Sequence, residues 1–138
     1  MILTFAPPLA DALLAGRKSV TRRTWTLSTA QSMTRQYEQG HAITAYRGNP
    51  RNGGEPIARL ALTQRPVLRD VATMPQRDYE REGLAYIDED ELRQRLYLPA
   101  ICRLLDMPIT DSARQAFNAW RERGGNVWVI RFQVLEAL

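Results

Sequence analysis

Of the 19 lysines and arginines in the chain, one is a lysine, Lys18, and it stands inside the densest run of positive charge, GRKSVTRRTW at residues 16–25. Arginine keeps its proton at any ordinary pH, whereas a lysine that is buried or crowded by other cations releases its proton readily. Arg17, Arg22 and Arg23 all push in that direction, and a neutral lysine amine is a base able to activate a hydroxyl. Two hydroxyls stand close in sequence, Ser19 and Thr21. Thr21 lies about 10 Å from Lys18 along an extended backbone at roughly 3.3 Å per residue, a span that a turn after Gly16 and the long lysine stem bring into reach. The competing reading is that Lys18 is left over from a general drift toward arginine and that Thr21 is an ordinary strand former.

Other chemistries find little support. A single cysteine, Cys102, in the apolar context AICRLLDM reads as a core thiol, and a single histidine, His41, leaves no His/Cys cluster for zinc. A purely carboxylate magnesium site stays open, but nothing in the spacing of the carboxylates asks for one, and no cofactor is expected. The net charge of +4 favours an anionic partner, nucleic acid first. Arg17, Lys18, Arg22 and Arg23, with Arg47 and Arg51 around a Gly/Asn/Pro loop, stand apart from the acids of Asp78 to Glu91, which predicts one face meant for an anion.

The elements that must position these residues can be read along the chain. With 138 residues, 44% hydrophobic and 25% charged, residues 1–138 fit one domain with a real core. No apolar run approaches the roughly 18 residues of a membrane span, and the start MILTFAPPLADALLAG lacks the basic region of a secretory signal, so a cytoplasmic protein with no membrane partner is expected. ILTF at 2–5 reads as a strand, Pro7-Pro8 opens a short helix closed by Gly16, and a strand follows from Ser19. Residues 29–39 form a weak helix ended by Gly40. AITAY and PIARLALTQ flank the breaker-rich loop RGNPRNGGE as a hairpin. From Pro75 to Met107 the pattern is helical, with a break at Gly83, a stripe of Leu92, Leu96, Ile101 and Leu105, and a kink or break at Pro99. SARQAFNAWRER is a further helix, and NVWVIRFQVL is the clearest strand. About five strands among helices predict an α+β fold: a small barrel or strongly curled sheet with helices packed outside.

GRKSVTRR, following a short apolar strand and the helix PLADALLAG, resembles the signature of the ASCH domain family, whose small β-barrel is similar to the RNA-binding PUA fold. The hairpin from Gly40 to Gln64 and VWVIRFQV, which resembles the family's closing strand, extend the resemblance over most of the chain in order, while residues 85–125 read as a helical elaboration. A bacterial member of that family hydrolyses N(4)-acetylcytidine with a lysine, a threonine three residues later and a distant glutamate. K-x-x-T stands intact here as Lys18 and Thr21, and in YEREGL the family's E-x-E pattern falls best on Glu82, with Glu80 the rival. Many members have Gly-Asp where this chain has Gly40-His41, so an imidazole replaces a carboxylate that could anchor that turn.

The resemblance implies a PUA-like barrel and an amidohydrolase acting on N(4)-acylated cytidine or a related modified nucleoside. Lys18, in neutral form, would take the Thr21 proton as Thr21 attacks, and Glu82 would protonate the leaving amine or guide water. A Lys18 held positive by Glu82 would instead stabilise the oxyanion. Substrate or RNA would be held by Arg17, Ser19, Arg22, Arg23, Arg47 and Arg51, with Tyr46 or Trp25 stacking on a base, while Trp120 and Trp128 go to the core. A non-catalytic RNA-binding module and a ribonuclease are the alternatives.

Overall fold

A computed structural model describes residues 1–138. In chain order the elements are β1 (Ile2–Phe5), α1 (Pro7–Leu14), β2 (Val20–Arg23), α2 (Leu27–Glu38), β3 (Ile43–Arg47), β4 (Glu55–Leu62), β5 (Val67–Asp70), α3 (Asp78–Arg81), α4 (Leu84–Asp88), α5 (Glu91–Leu104), α6 (Ala113–Arg123) and β6 (Asn126–Ala137). Side chains cap three of the longer helices at their N-termini: Thr26 for α2, Asp90 for α5 and Ser112 for α6, each accepting a backbone N–H of the first turn.

The β-branched and aromatic run of β6 makes a strand long enough to take three partners along its length. Its second half pairs with β4, from Leu62↔Phe132 to Ala58↔Ala137, and its first half pairs with β5 and, at Val20↔Arg131 to Arg23↔Trp128, with β2. The sheet runs β1-β3-β4-β6-β2, with β5 beside β6; only β1 and β3 are parallel. Register shifts at Ala45/Tyr46 and Arg59/Leu60 increase the local twist. The six strands curl into a half-barrel with helices packed around it, in an α+β architecture. The two ends of that order, β1 and β2, do not pair with each other. They are joined across an open seam by Arg23, whose Nη2 donates to the Thr4 carbonyl at 2.7 Å.

Two apolar clusters hold these layers. Leu3, Phe5, Leu13, Met33, Ile43, Leu60, Ile130 and Phe132 pack the sheet against α1 and α2, while Val71, Leu84, Ile87, Ile101, Phe117, Trp120 and Val127 pack the helical half; Leu9 touches both. β6 contributes to each cluster, which is why its burial does not alternate cleanly over residues 127–132.

Three sequence expectations need correction. Leu92 and Leu96 are exposed, at 64% and 65%, because the buried stripe of α5 runs instead through Leu98, Ile101 and Cys102, with Leu105 partly buried just beyond the helix. The i, i+3, i+4, i+7 pattern of those residues leaves Leu92 and Leu96 off the packed face. Pro99 does not break the helix, which runs from Glu91 to Leu104. The strand β5 was not foreseen; it is a four-residue edge with one half-buried and three exposed residues, so it lacks the apolar alternation that marks a strand. No helix is long and apolar enough to cross a membrane.

Candidate active site

The position of Lys18 begins with the end of α1. Gly16, at φ 74°, lets the Gly16 and Arg17 amides fold back onto the Leu13 and Ala12 carbonyls at 3.0 and 2.8 Å, which closes the helix and turns the chain inward. The Ser19 amide then docks on the Arg81 carbonyl at the end of α3. Glu82 follows α3 directly, and Gly83 reverses the chain with φ 90°. A Cβ on Gly83 would lie 2.8 Å from the Ala12 Cβ and 3.4 Å from the Lys18 Cβ, so α1, Lys18 and Glu82 are brought together only because residue 83 has no side chain.

Gly83→Ala is accordingly expected to destabilise the protein by more than the roughly 1–2 kcal/mol of a left-handed alanine. Gly53→Ala, at φ 82° and ψ 12° with nothing within 4 Å of the added atom, carries the same left-handed backbone penalty without the clash. Urea titrations of the two variants measure the difference, and equal losses would mean that the close approach at Gly83 matters little.

The Lys18 side chain is fully buried. Its Nζ donates to the Val20 carbonyl at 2.7 Å, the Glu82 carbonyl at 2.9 Å and Glu82 Oε1 at 3.2 Å. Three acceptors match the three N–H groups of an ammonium, so this geometry is built for the charged form. Burial pushes the Lys18 ammonium below its ordinary range, the Glu82 charge opposes that shift, and Arg23 and Arg22 add to it.

From Glu82 an ion network of alternating sign continues across the structure. Glu82 Oε2 accepts from Arg22 Nη1 at 2.6 Å, Arg22 Nη2 donates to Asp78 Oδ2 at 2.6 Å, and Arg131 Nη2 reaches the same oxygen at 2.8 Å. Asp78 is completely buried. Burial alone would raise its carboxyl, but the hydrogen bonds and charges of Arg131 and Arg22 outweigh that and hold it below the usual carboxylate range.

Alternation along β2 sends Thr21 and Arg23 to one face and Arg22 to the other. Thr21 Oγ1 accepts from Arg23 Nε at 3.1 Å, and its own proton is uncommitted. The Arg23 guanidinium sits 5.2 Å from the Phe5 ring centroid; burial lowers its pKa from the ordinary value, with the Glu82 charge opposing. Its Nη1 donates to nothing in the protein, since its hydrogen bonds run from Nε and Nη2. Thr21, Arg22, Arg23 and Glu82 line a cavity of about 250 Å³ at the seam between β1 and β2. Thr4, Phe5, Ala6 and Leu9 complete one side, and Leu84, Ile101, Leu104, Leu105 and Trp120 form the other.

The sequence-selected triad is thus assembled in part. Glu82 reaches Lys18, whereas Glu80 turns outward and pairs with Arg17 at 2.6 Å. Lys18 makes no hydrogen bond to Thr21; it sits behind Glu82, outside the cavity wall. The anion-binding face is largely neutralised, because the acids of residues 78–91 fold onto the basic strand instead of standing apart from it. Arg17 binds both Glu80 and Glu89, Arg22 is consumed by Asp78 and Glu82, and Arg47 pairs with Asp11. Arg51 is exposed without an ion pair, and Ser19 and half-buried Tyr46 lie outside the cavity lining. Trp25 and Trp128 pack against the sheet-side core. His41 is exposed ahead of β3, its Nδ1 3.3 Å from Gln36 Oε1.

Sequence reasoning missed Asp78, Arg131 and the cavity-lining Trp120, which it assigned to the core alone. A charged Arg131 between the buried Ile130 and Phe132 was the one signal available. No family model matches the chain, and no curated protein or solved structure matches it.

Proposed function

We propose that the chain is a small ASCH-type amidohydrolase with a PUA-like barrel, acting on N(4)-acylated cytidine or a related modified nucleoside. The observation that carries this reading is the Thr21 hydroxyl, its proton free, in the wall of a cavity that the open donor of Arg23 and the Glu82 carboxylate also line. In this mechanism Thr21 Oγ attacks the acyl carbonyl carbon as its proton passes to the Glu82 carboxylate, and the resulting oxyanion is stabilised by Arg23. Collapse breaks the C–N bond, and the departing cytosine amine takes the proton from Glu82. Water then attacks the acyl-threonine ester, again delivering a proton to Glu82. Cleavage of that C–O bond releases the carboxylic acid and returns the proton to Thr21.

Lys18 acts in this scheme as a fixed cation. Its three filled hydrogen bonds favour the positive form, which orients Glu82 and offsets part of the charge change. Incubating the purified protein with N(4)-acetylcytidine and, separately, with labelled single-stranded RNA tests the reading by chromatography. Cytidine and acetate should appear and the RNA should stay intact; no cytidine, or shortened RNA, overturns it.

The ion pairs on Arg17, Arg22 and Arg47 argue against the RNA-binding module. With most cations of that face already paired, its affinity for single-stranded RNA is expected to be weak, with log K falling against log salt at a slope no steeper than about −2, since each neutralised phosphate contributes about −0.7. Fluorescence anisotropy between low and moderate salt measures that slope, and a value beyond about −3 would restore the RNA-binding reading.

A further inference from the structure

The two walls of the seam cavity differ in chemistry. On the sheet side Arg23 presents a nitrogen with no protein partner, and on the helical side, beyond the ion-paired Glu82 carboxylate, Leu84, Ile101, Leu105 and Trp120 offer a mostly apolar surface. The charges around this site do not balance. Lys18, Arg22, Arg23 and Arg131 are four cations around two carboxylates, Glu82 and Asp78, and each carboxylate is already shared between two of the other three cations. Arg23 is the cation left over, and it is half removed from water. A planar guanidinium with an open donor beside an apolar wall suits a planar pair of anionic oxygens on an apolar body.

We infer that the cavity binds compact apolar monocarboxylates, with the carboxylate on Arg23 and the hydrocarbon body against Trp120 and Leu105. At about 250 Å³ the space takes a single ring or a short branched chain, which for an N(4)-acylated nucleoside is the acyl end and not the whole molecule, and it falls below the roughly 300–1,000 Å³ of larger ligand sites. One free guanidinium nitrogen serves one carboxylate, whereas a nucleotide phosphate chain would need several donors. This binding does not depend on Thr21 chemistry. If the amidohydrolase reading also holds, these acids are the acyl half of its products, and acyl groups larger than acetyl are the better substrates.

Isothermal titration of the intact protein with benzoate, acetate and benzamide at constant ionic strength tests the inference. Benzoate should bind at least about tenfold more tightly than acetate, because the apolar wall contributes, and at least about tenfold more tightly than benzamide, because the charge does. Arg23→Met should bring benzoate down to the benzamide level. Because Arg23 also latches β1 to β2, a second variant is needed: Leu104→Trp, at a cavity-lining position that is 55% exposed, adds bulk without disturbing the core and should weaken benzoate at least about tenfold. Leu92→Ala, on the exposed face of α5, should leave benzoate binding unchanged.

Equal affinity for benzoate and benzamide, equal affinity for benzoate and acetate, or no benzoate binding overturns the inference. Benzoate selectivity without cytidine release would uphold it while removing the amidohydrolase reading. Cytidine release without benzoate selectivity would do the reverse.

Discussion

If the proposed mechanism holds, Thr21→Ala is expected to lower the rate of N(4)-acylcytidine hydrolysis at least about 100-fold while leaving the protein folded, because it removes the proposed nucleophile and only a small buried volume. Thr21→Ser, which keeps a hydroxyl, should retain part of the rate. The comparison is made by steady-state assay with a thermal melt on each variant, and full activity in Thr21→Ala would sink the covalent mechanism.

Lys18 offers a less clean test than its rarity in the sequence suggests. Its side chain is wholly buried, so the larger fork of Lys18→Arg overpacks the site at about 1–3 kcal/mol. Lys18→Met leaves Glu82 without one of its two cations. The pH dependence separates the roles of Lys18 better. Burial holds its pKa below the ordinary 10.5, so as a fixed cation it loses its charge, and the rate falls, as pH rises through that lowered value. As a neutral base it would make the rate rise over the same range.

The second large effect is on stability. Asp78→Asn should cost about 3–5 kcal/mol, because Arg22 and Arg131 would be left facing a neutral amide inside the protein. The folded state holds Asp78 ionised at pH values where the unfolded chain is already protonated. Its contribution is therefore complete above the ordinary 3.8 and disappears as pH falls through the lower folded value. Urea titrations across the acid range should show wild type losing stability there and Asp78→Asn losing less. A loss below about 1 kcal/mol in the variant would mean that the network contributes little to holding α3 against β2 and β6.

Local pattern was enough to find β1, α1, β2, the β3–β4 hairpin, α6 and β6, because turn residues and apolar periodicity act over a few residues. What could not be read were partners set by tertiary packing. Arg22 meets Asp78 and Glu82, and Arg17 meets Glu80 and Glu89, across a chain separation that no periodicity encodes. Separation of charge along the sequence was therefore mistaken for separation in space. Leu92 and Leu96 misled for a related reason: helical spacing defines a stripe, but only the neighbours decide which stripe is buried. Trp120 serves the helical core and the cavity wall at once, a double role invisible in SARQAFNAWRER.

The pairing of β2 with β6 also sets the order in which the protein can be assembled. Thr21 lies opposite Ile130 and Arg22 opposite Val129, residues from nearly opposite ends of the chain. Until residues 128–131 have left the ribosome, the nascent strand that carries Thr21 and Arg23 has no β neighbour on that side. Closing so long a loop is slow and comes late in folding. The Thr21 hydroxyl and the open guanidinium of Arg23 are thus fixed in one cavity wall only after residues 128–131 have been made, and a chain interrupted before them would hold GRKSVTRR without the strand that positions it.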